Sequence, residues 1–229
     1  MTTDDHTTRT LLLSQKAPGM LLVSRGSTSN IDLIAASLSS GHSQIRAFNL
    51  TNMTGQPYQF DTAGLPLGWG LRNSVGVAEH PVTGGIYSVE NSADQITRDD
   101  QDIHENNPGE ELNFHGYLNG TQYHPQGQNY GYPYCFAAWN LSEIPNNGNL
   151  STGSQFSIDG PLPLTNSLAK TDSYCAAQIP PRLTFQAHLA PLDLVFNNSG
   201  TEGWVTFHGS WYAWLTHLLY SCPYHTPLC

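Results

Sequence analysis

The chain has 229 residues, 38% of them hydrophobic and only 11% charged, with 18 acidic and 8 basic side chains and a formal net charge of −10. That length buries one large all-β core or two small ones. An acidic balance without any Lys/Arg run excludes a nucleic-acid surface built on basic residues. No apolar run approaches the ~20 residues that cross a bilayer as a helix. Gly (21) and Pro (15) are frequent, which favours turns over helices, and 11 Tyr, 8 Phe and 5 Trp are enough to build a sheet core.

The chain opens Met-Thr-Thr-Asp-Asp-His, without the basic and apolar regions of a signal peptide. Short runs rich in Val, Ile, Leu, Tyr or Phe, bounded by turn residues, predict strands at residues 11–13, 19–24, 43–50, 75–79, 85–89, 135–139, 192–196 and 203–208. Residues 73–90 read strand, Pro-Val-Thr-Gly-Gly turn, strand. Residues 187–208 repeat that rhythm around Asn-Asn-Ser-Gly-Thr-Glu-Gly, as in the inner hairpin of a propeller blade. The fold class expected is all-β, a β-propeller. At about 40–50 residues per blade the length gives four to five blades. Residues 91–128 form a long polar insert with Asp94, Asp99, Asp100, Asp102, Glu105, Glu110 and Glu111, of the kind that is functional or disordered. Residues 140–170 read as a surface excursion. After Trp211 the blade rhythm stops, so residues 1–211 are read as a partial propeller and 212–229 as an aberrant tail.

Two features favour the secretory route. Six Asn-X-Ser/Thr sequons occur, at Asn49, Asn52, Asn119, Asn140, Asn149 and Asn197. Four cysteines lack the CxxC spacing of zinc sites, and an even count fits disulfides, with Cys135 and Cys175 spaced to close a loop of about forty residues. A secreted glycoprotein is therefore expected.

The densest chemical signal lies between Gly70 and Pro133. Arg72 can offer a charge-assisted fork to a carboxylate, and Asn73 can bond a ring carbonyl; the rival reading is a loop arginine paired with one of the many acids. Asn91 and Ser92 end a strand, where main-chain carbonyls suit a hard cation such as calcium; the rival there is an ordinary Asx turn. Glu110-Glu111-Leu112-Asn113 followed by Tyr130-Gly131-Tyr132-Pro133 reads as a strand and a tight aromatic turn.

Taken in order, Gly70-Leu71-Arg72-Asn73, residues 88–92, Glu110-Glu111-Leu112-Asn113 and Asn129-Tyr130-Gly131-Tyr132-Pro133 resemble the quinoprotein sugar dehydrogenases, and most of all the fungal pyranose dehydrogenases. The resemblance covers about residues 5–211. It implies a six-bladed propeller holding pyrroloquinoline quinone (PQQ) and calcium, of which this chain is a truncated member. It implies oxidation of a sugar at its anomeric or aldehyde carbon, with electrons passing to a haem protein or another acceptor. His6 becomes the general base, since a neutral imidazole accepts a proton near pH 7. Arg25, Arg72, Asn73, His188, His208 and Trp211 become cofactor contacts, and Asn91 and Ser92 the calcium carbonyls. A monomer without nucleic-acid or membrane partners is expected. The rival functions are an inactive remnant or carbohydrate-binding module, and a calcium-stabilised structural propeller.

Overall fold

A computed structural model describes residues 6–159 and 169–209, and the backbone of 220–223. Its fifteen strands are β1 (Leu11–Leu13), β2 (Met20–Arg25), β3 (Gln44–Asn49), β4 (Leu65–Trp69), β5 (Ser74–Glu79), β6 (Gly85–Glu90), β7 (Thr97–Arg98), β8 (Gln101–Asp102), β9 (Glu110–Tyr117), β10 (Cys135–Ala137), β11 (Gln155–Ser157), β12 (Leu183–Phe185), β13 (Pro191–Phe196), β14 (Glu202–Phe207) and β15 (Tyr220–Pro223). One short helix, α1 (Asp172–Cys175), is capped by the Thr171 side chain, which accepts from the Tyr174 N–H. The protein is all-β with the propeller architecture.

Two four-stranded sheets, β1-β2-β3-β4 and β12-β9-β6-β5, and the three-stranded sheet β13-β14-β15 have the size of blades. The other two sheets, β7-β8 and β10-β11, are two-stranded ribbons. The four to five blades expected from length are therefore three blade-sized sheets among the described residues, because the long excursions spend chain on ribbons and loops. The named strands pair antiparallel, and one isolated parallel bridge joins Trp69 to Asn129.

Residues 91–128 are not one polar insert. They contain β9, an inner strand hydrogen-bonded to β6 on one side and β12 on the other. Within the tail that began at residue 212, Tyr220–Pro223 pairs with β14.

Apolar faces join the sheets in sequence. Leu22, Ile45, Leu67, Val77 and Ile86 fill the layer between the β1–β4 sheet and the β5-β6-β9-β12 sheet. Val89, Leu112, Phe185, Leu194, Val205 and Phe207 fill the next layer, against β13 and β14. Each such side chain contributes roughly 1.5–3 kcal/mol by leaving water. A third core, with Ile31, Ile96, Ile103, Tyr132, Phe136, Phe156 and Ile158, lies under the excursions. Buried Cys135 and Cys175 form a disulfide that ties α1 to β10.

Candidate active site

Antiparallel pairing brings the candidate residues to one edge. Arg25 ends β2 and pairs with Gln44, which begins β3 and pairs with Trp69 at the end of β4. Ser74 begins β5 beside Glu90, which ends β6 and pairs with Glu111 near the start of β9. Pro191 begins β13 beside Phe207, the last residue of β14. Arg25, Arg72-Asn73, Asn91-Ser92, Glu110, His188 and His208 thus lie at the same ends of their sheets.

Arg72 joins these loops. Its buried guanidinium donates from Nε to Asn30 O at 3.1 Å and from Nη2 to Asn30 Oδ1 at 2.9 Å. Its Nη1 donates to Ser92 O at 2.5 Å and Asn91 O at 3.3 Å. An acid is also near, Asp94, at 3.9 Å. The loop arginine does have an acidic neighbour, but its bonds go mainly to amide and main-chain oxygens. Asn91 is held twice more and Ser92 once: Asn91 Nδ2 donates to Pro191 O and its main-chain N–H to Asn73 O, while the Ser92 N–H donates to Glu110 Oε2.

His6 packs beside Asn73 over the bare backbone of Gly26, where an added Cβ would fall 2.5 Å from Asn73 Oδ1 and 2.8 Å from His6 Cβ. His6 Nδ1 lies 2.8 Å from Ser27 Oγ and 3.1 Å from Ser27 O. A main-chain oxygen only accepts, so Nδ1 carries a proton toward Ser27. Arg25 is buried; its Nη1 donates to Gly41 O at 3.4 Å and its Nε has no partner. Among the described residues no carboxylate lies within ion-pair distance of Arg25. Burial and the nearby Arg9 charge lower its pKa.

His188 adopts φ 61° and Ala190 φ 50°, the left-handed region that ordinary residues avoid. That turn aims the His188 ring at two acceptors, Asp94 Oδ1 at 3.1 Å from Nδ1 and His104 O at 2.5 Å from Nε2. The Asp94 bond raises the His188 pKa against the opposing effect of burial. The network therefore runs from Arg72 through Asp94 to His188. His208 is exposed at the end of β14, where its main-chain N–H donates to Ala190 O. Trp211 lies outside the described residues.

Sequence reasoning missed four contributors. Asn30, in a polar loop without a motif, holds two donors of Arg72. The Tyr132 hydroxyl contacts the main chain of Ser29, Asn30 and Asp32, fixing that loop. Glu110 accepts from both Ser92 N and Ala190 N, clamping two loops at once. Burial pushes its carboxyl up to about 7. Glu90 accepts from the Arg72 main-chain N–H at 2.5 Å. The usable signal was Glu90 and Glu110 at strand ends, where a buried acid needs a reason to be there.

Comparison with known proteins places this geometry. The TrAA12-like family model matches residues 1–215. A PQQ-dependent sugar dehydrogenase of Hypocrea jecorina (strain QM6a) is 52% identical over 213 residues, covering 92% of this chain and 48% of that protein. A PQQ-dependent pyranose dehydrogenase of Coprinopsis cinerea is 36% identical over 214 residues, covering 90% of this chain and 28% of that protein. The iodide structure of a Trichoderma reesei carbohydrate-active enzyme of family AA12 superposes with TM-score 0.87 at 49% identity, over 97% of this chain and 54% of that one. The holo form of the Coprinopsis cinerea pyranose dehydrogenase PQQ domain superposes with TM-score 0.80 at 34% identity, over 93% of this chain and 51% of that one. The chain spans about half the length, or less, of the curated relatives it matches.

Proposed function

The chain belongs to the TrAA12-like family, and on that premise we propose that it supplies one wall of a PQQ-dependent sugar dehydrogenase. The observation that carries this reading is the convergence of His6, Arg25, Arg72 and Asn73 at one sheet edge, in a chain whose relatives are sugar and pyranose dehydrogenases.

The residues present fit an anionic quinone. Arg25 offers a buried guanidinium with an unpartnered Nε, a complement to a carboxylate. Asn73, which with His6 flanks the bare backbone of Gly26, offers an amide to a ring oxygen. PQQ, when bound, supplies the two-electron acceptor that side chains lack. His6 takes the sugar hydroxyl proton at Nε2, because Nδ1 is committed to Ser27. Ser27 orients the ring, and its own N–H is tied to Arg72 O.

The calcium part fits with a condition. The Asn91 and Ser92 carbonyls already accept from Arg72, and each oxygen keeps a second lone pair for a hard cation. A cation there sits beside a fixed positive charge, so a cofactor carboxylate must offset the repulsion. Electron delivery to a haem protein and secretion complete the proposal. In support of export, none of the six sequon asparagines is buried.

The test is PQQ titration of the purified chain with calcium, then dye reduction with a panel of pyranoses. Binding on the order of micromolar is expected, with His6→Asn retaining PQQ but losing turnover. Absence of PQQ binding sinks the proposal. The alternative reading, sugar binding without turnover, predicts sugar binding in the absence of PQQ.

A further inference from the structure

The long connection from β2 to β3 is built around one carboxylate. Asp32 is 3% exposed, and its two oxygens accept four hydrogen bonds. Oδ2 takes the Thr28 N–H at 3.0 Å, the Thr28 hydroxyl at 2.8 Å and His42 Nδ1 at 2.7 Å. Oδ1 takes the Ile34 N–H at 3.0 Å. Burial opposes ionisation of Asp32, but the Thr28 and His42 donors outweigh it and keep its pKa below the ordinary carboxylate value. An ionised carboxylate only accepts, so His42 carries a proton on Nδ1.

Both ends of this connection carry groups of the site. Thr28 lies in the turn that presents Ser27, Ser29 and Asn30. Ser27 Oγ donates to Ser29 O at 2.7 Å, which leaves it an acceptor for His6 Nδ1. Asn30 holds two donors of Arg72. At the other end, His42 stands between Gly41, whose carbonyl accepts from Arg25, and Ser43, whose carbonyl accepts from the Leu71 N–H. Gly41 lies at φ 71° and buried Ser43 at φ 55°. Ser43 is not glycine, and such a conformation persists only where the surrounding structure imposes it. With left-handed residues on both sides, His42 turns its ring inward to Asp32, and its side chain is 14% exposed. The carboxylate also acts at a distance: burial and the Arg9 charge lower the Arg25 pKa, and Asp32 opposes them.

We propose that Asp32 and His42 are a positioning pair for this site, whose contact clasps the two ends of the β2–β3 connection. One end orients His6 through Ser27 and Arg72 through Asn30. The other sets the Gly41 carbonyl against Arg25. Neither member of the pair touches the reacting atoms; both act through the residues they hold. The consequence for turnover rests on the dehydrogenase reading above, whereas the coupling of His42 to the His6 ring does not.

The experiment uses the whole chain with nitrogen-labelled histidines, first without PQQ. Comparison with His6→Asn identifies the His6 ring signals by NMR. His42→Leu keeps bulk and removes the donor, while His42→Asn places an amide N–H where Nδ1–H stood. Wild type is expected to show His6 Nδ1 protonated and hydrogen-bonded, His42→Leu to lose that signature, and His42→Asn to keep it. With PQQ, calcium and a pyranose, His42→Leu should lose on the order of 10²-fold in kcat, the cost of about an ångström of misplacement. KM for the sugar should change little, and His42→Asn should recover most of the rate. An unchanged His6 signal in a folded His42→Leu chain overturns the proposal. Equal damage in the leucine and asparagine variants overturns it too, by assigning His42 to ring packing alone. Should His42→Leu not fold, Thr28→Val removes one bond to Asp32 and keeps the shape, and an unchanged His6 signal there gives the same refutation. A chain that binds no PQQ yet shows the His6 response and its rescue sinks the dehydrogenase reading and supports the positioning pair.

Discussion

Replacing Arg72 by lysine keeps the positive charge and removes the fork. The guanidinium makes four side-chain bonds in two directions, two to Asn30 and two to the Asn91 and Ser92 carbonyls. An ammonium at the end of a flexible stem serves one direction and abandons the other. Two acceptors then lose charged donors worth roughly 1.5–3 kcal/mol each, and with partial entry of water the net cost is about 3 kcal/mol. For a chain of this size that lowers the melting temperature by about 6–12 °C. Calorimetry or circular dichroism reads the shift, and a parallel PQQ titration should show weaker binding. A lysine variant melting within about 2 °C of wild type would refute the claim that Arg72 ties these loops together.

Other perturbations separate the remaining forces. Cys135→Ser with Cys175→Ser opens a loop with sequence separation 40, and the chain-entropy estimate puts the loss at about 4 kcal/mol; denaturant melts check it, and an unchanged midpoint contradicts it. His188 has a raised pKa owing to Asp94, so its contribution is complete below its ordinary 6.5 and fades as pH rises through the folded value. As pH rises from about 6.5 through the raised His188 value, wild type should lose melting temperature more steeply than Asp94→Asn, and parallel curves would dismiss the link. Arg98 grips Asp172 with both Nη atoms at 2.7 Å. Burial opposes ionisation of Asp172, but Arg98 and the Ser157 N–H outweigh it and hold its pKa below 3.8. A double-mutant cycle with Arg98→Met and Asp172→Asn should therefore give a coupling of about 1–2 kcal/mol at neutral pH. That coupling disappears as pH falls through the lowered Asp172 value; a coupling near zero at neutral pH would show that solvent screens the pair.

Most strands were legible because their apolar residues cluster between turns, as in Met-Leu-Leu-Val at the start of β2 and Pro-Leu-Asp-Leu-Val-Phe in β13. β4 was hidden by Pro66 and Gly68, residues that usually argue against a strand. β9 was legible only over Glu110-Glu111-Leu112-Asn113, and its continuation to Tyr117 was hidden for a different reason. Its one face carries Glu110, Leu112 and Phe114 and its other Glu111, Asn113 and His115, so polar residues fall on both and alternation is lost. Those polar residues find partners that no local pattern shows: Glu110 accepts from the Ser92 and Ala190 N–H groups, and His115 bonds Ser88 across the β6–β9 pairing.

Between Gly70 and Pro133, the sequence by itself determined that a strand begins after Asn73, that another ends before Asn91, and that a cation and several acids lie close along the chain. Local propensity and turn chemistry are enough for that. Only the tertiary structure decided that Arg72 bonds the very carbonyls of Asn91 and Ser92, that Glu110 clamps their loop to Ala190, and that His6 meets Asn73 over Gly26. The physical reason is antiparallel pairing. It sets the start of each strand beside the end of its neighbour, so residues far apart in the chain share one edge, and their partners follow from register instead of from composition.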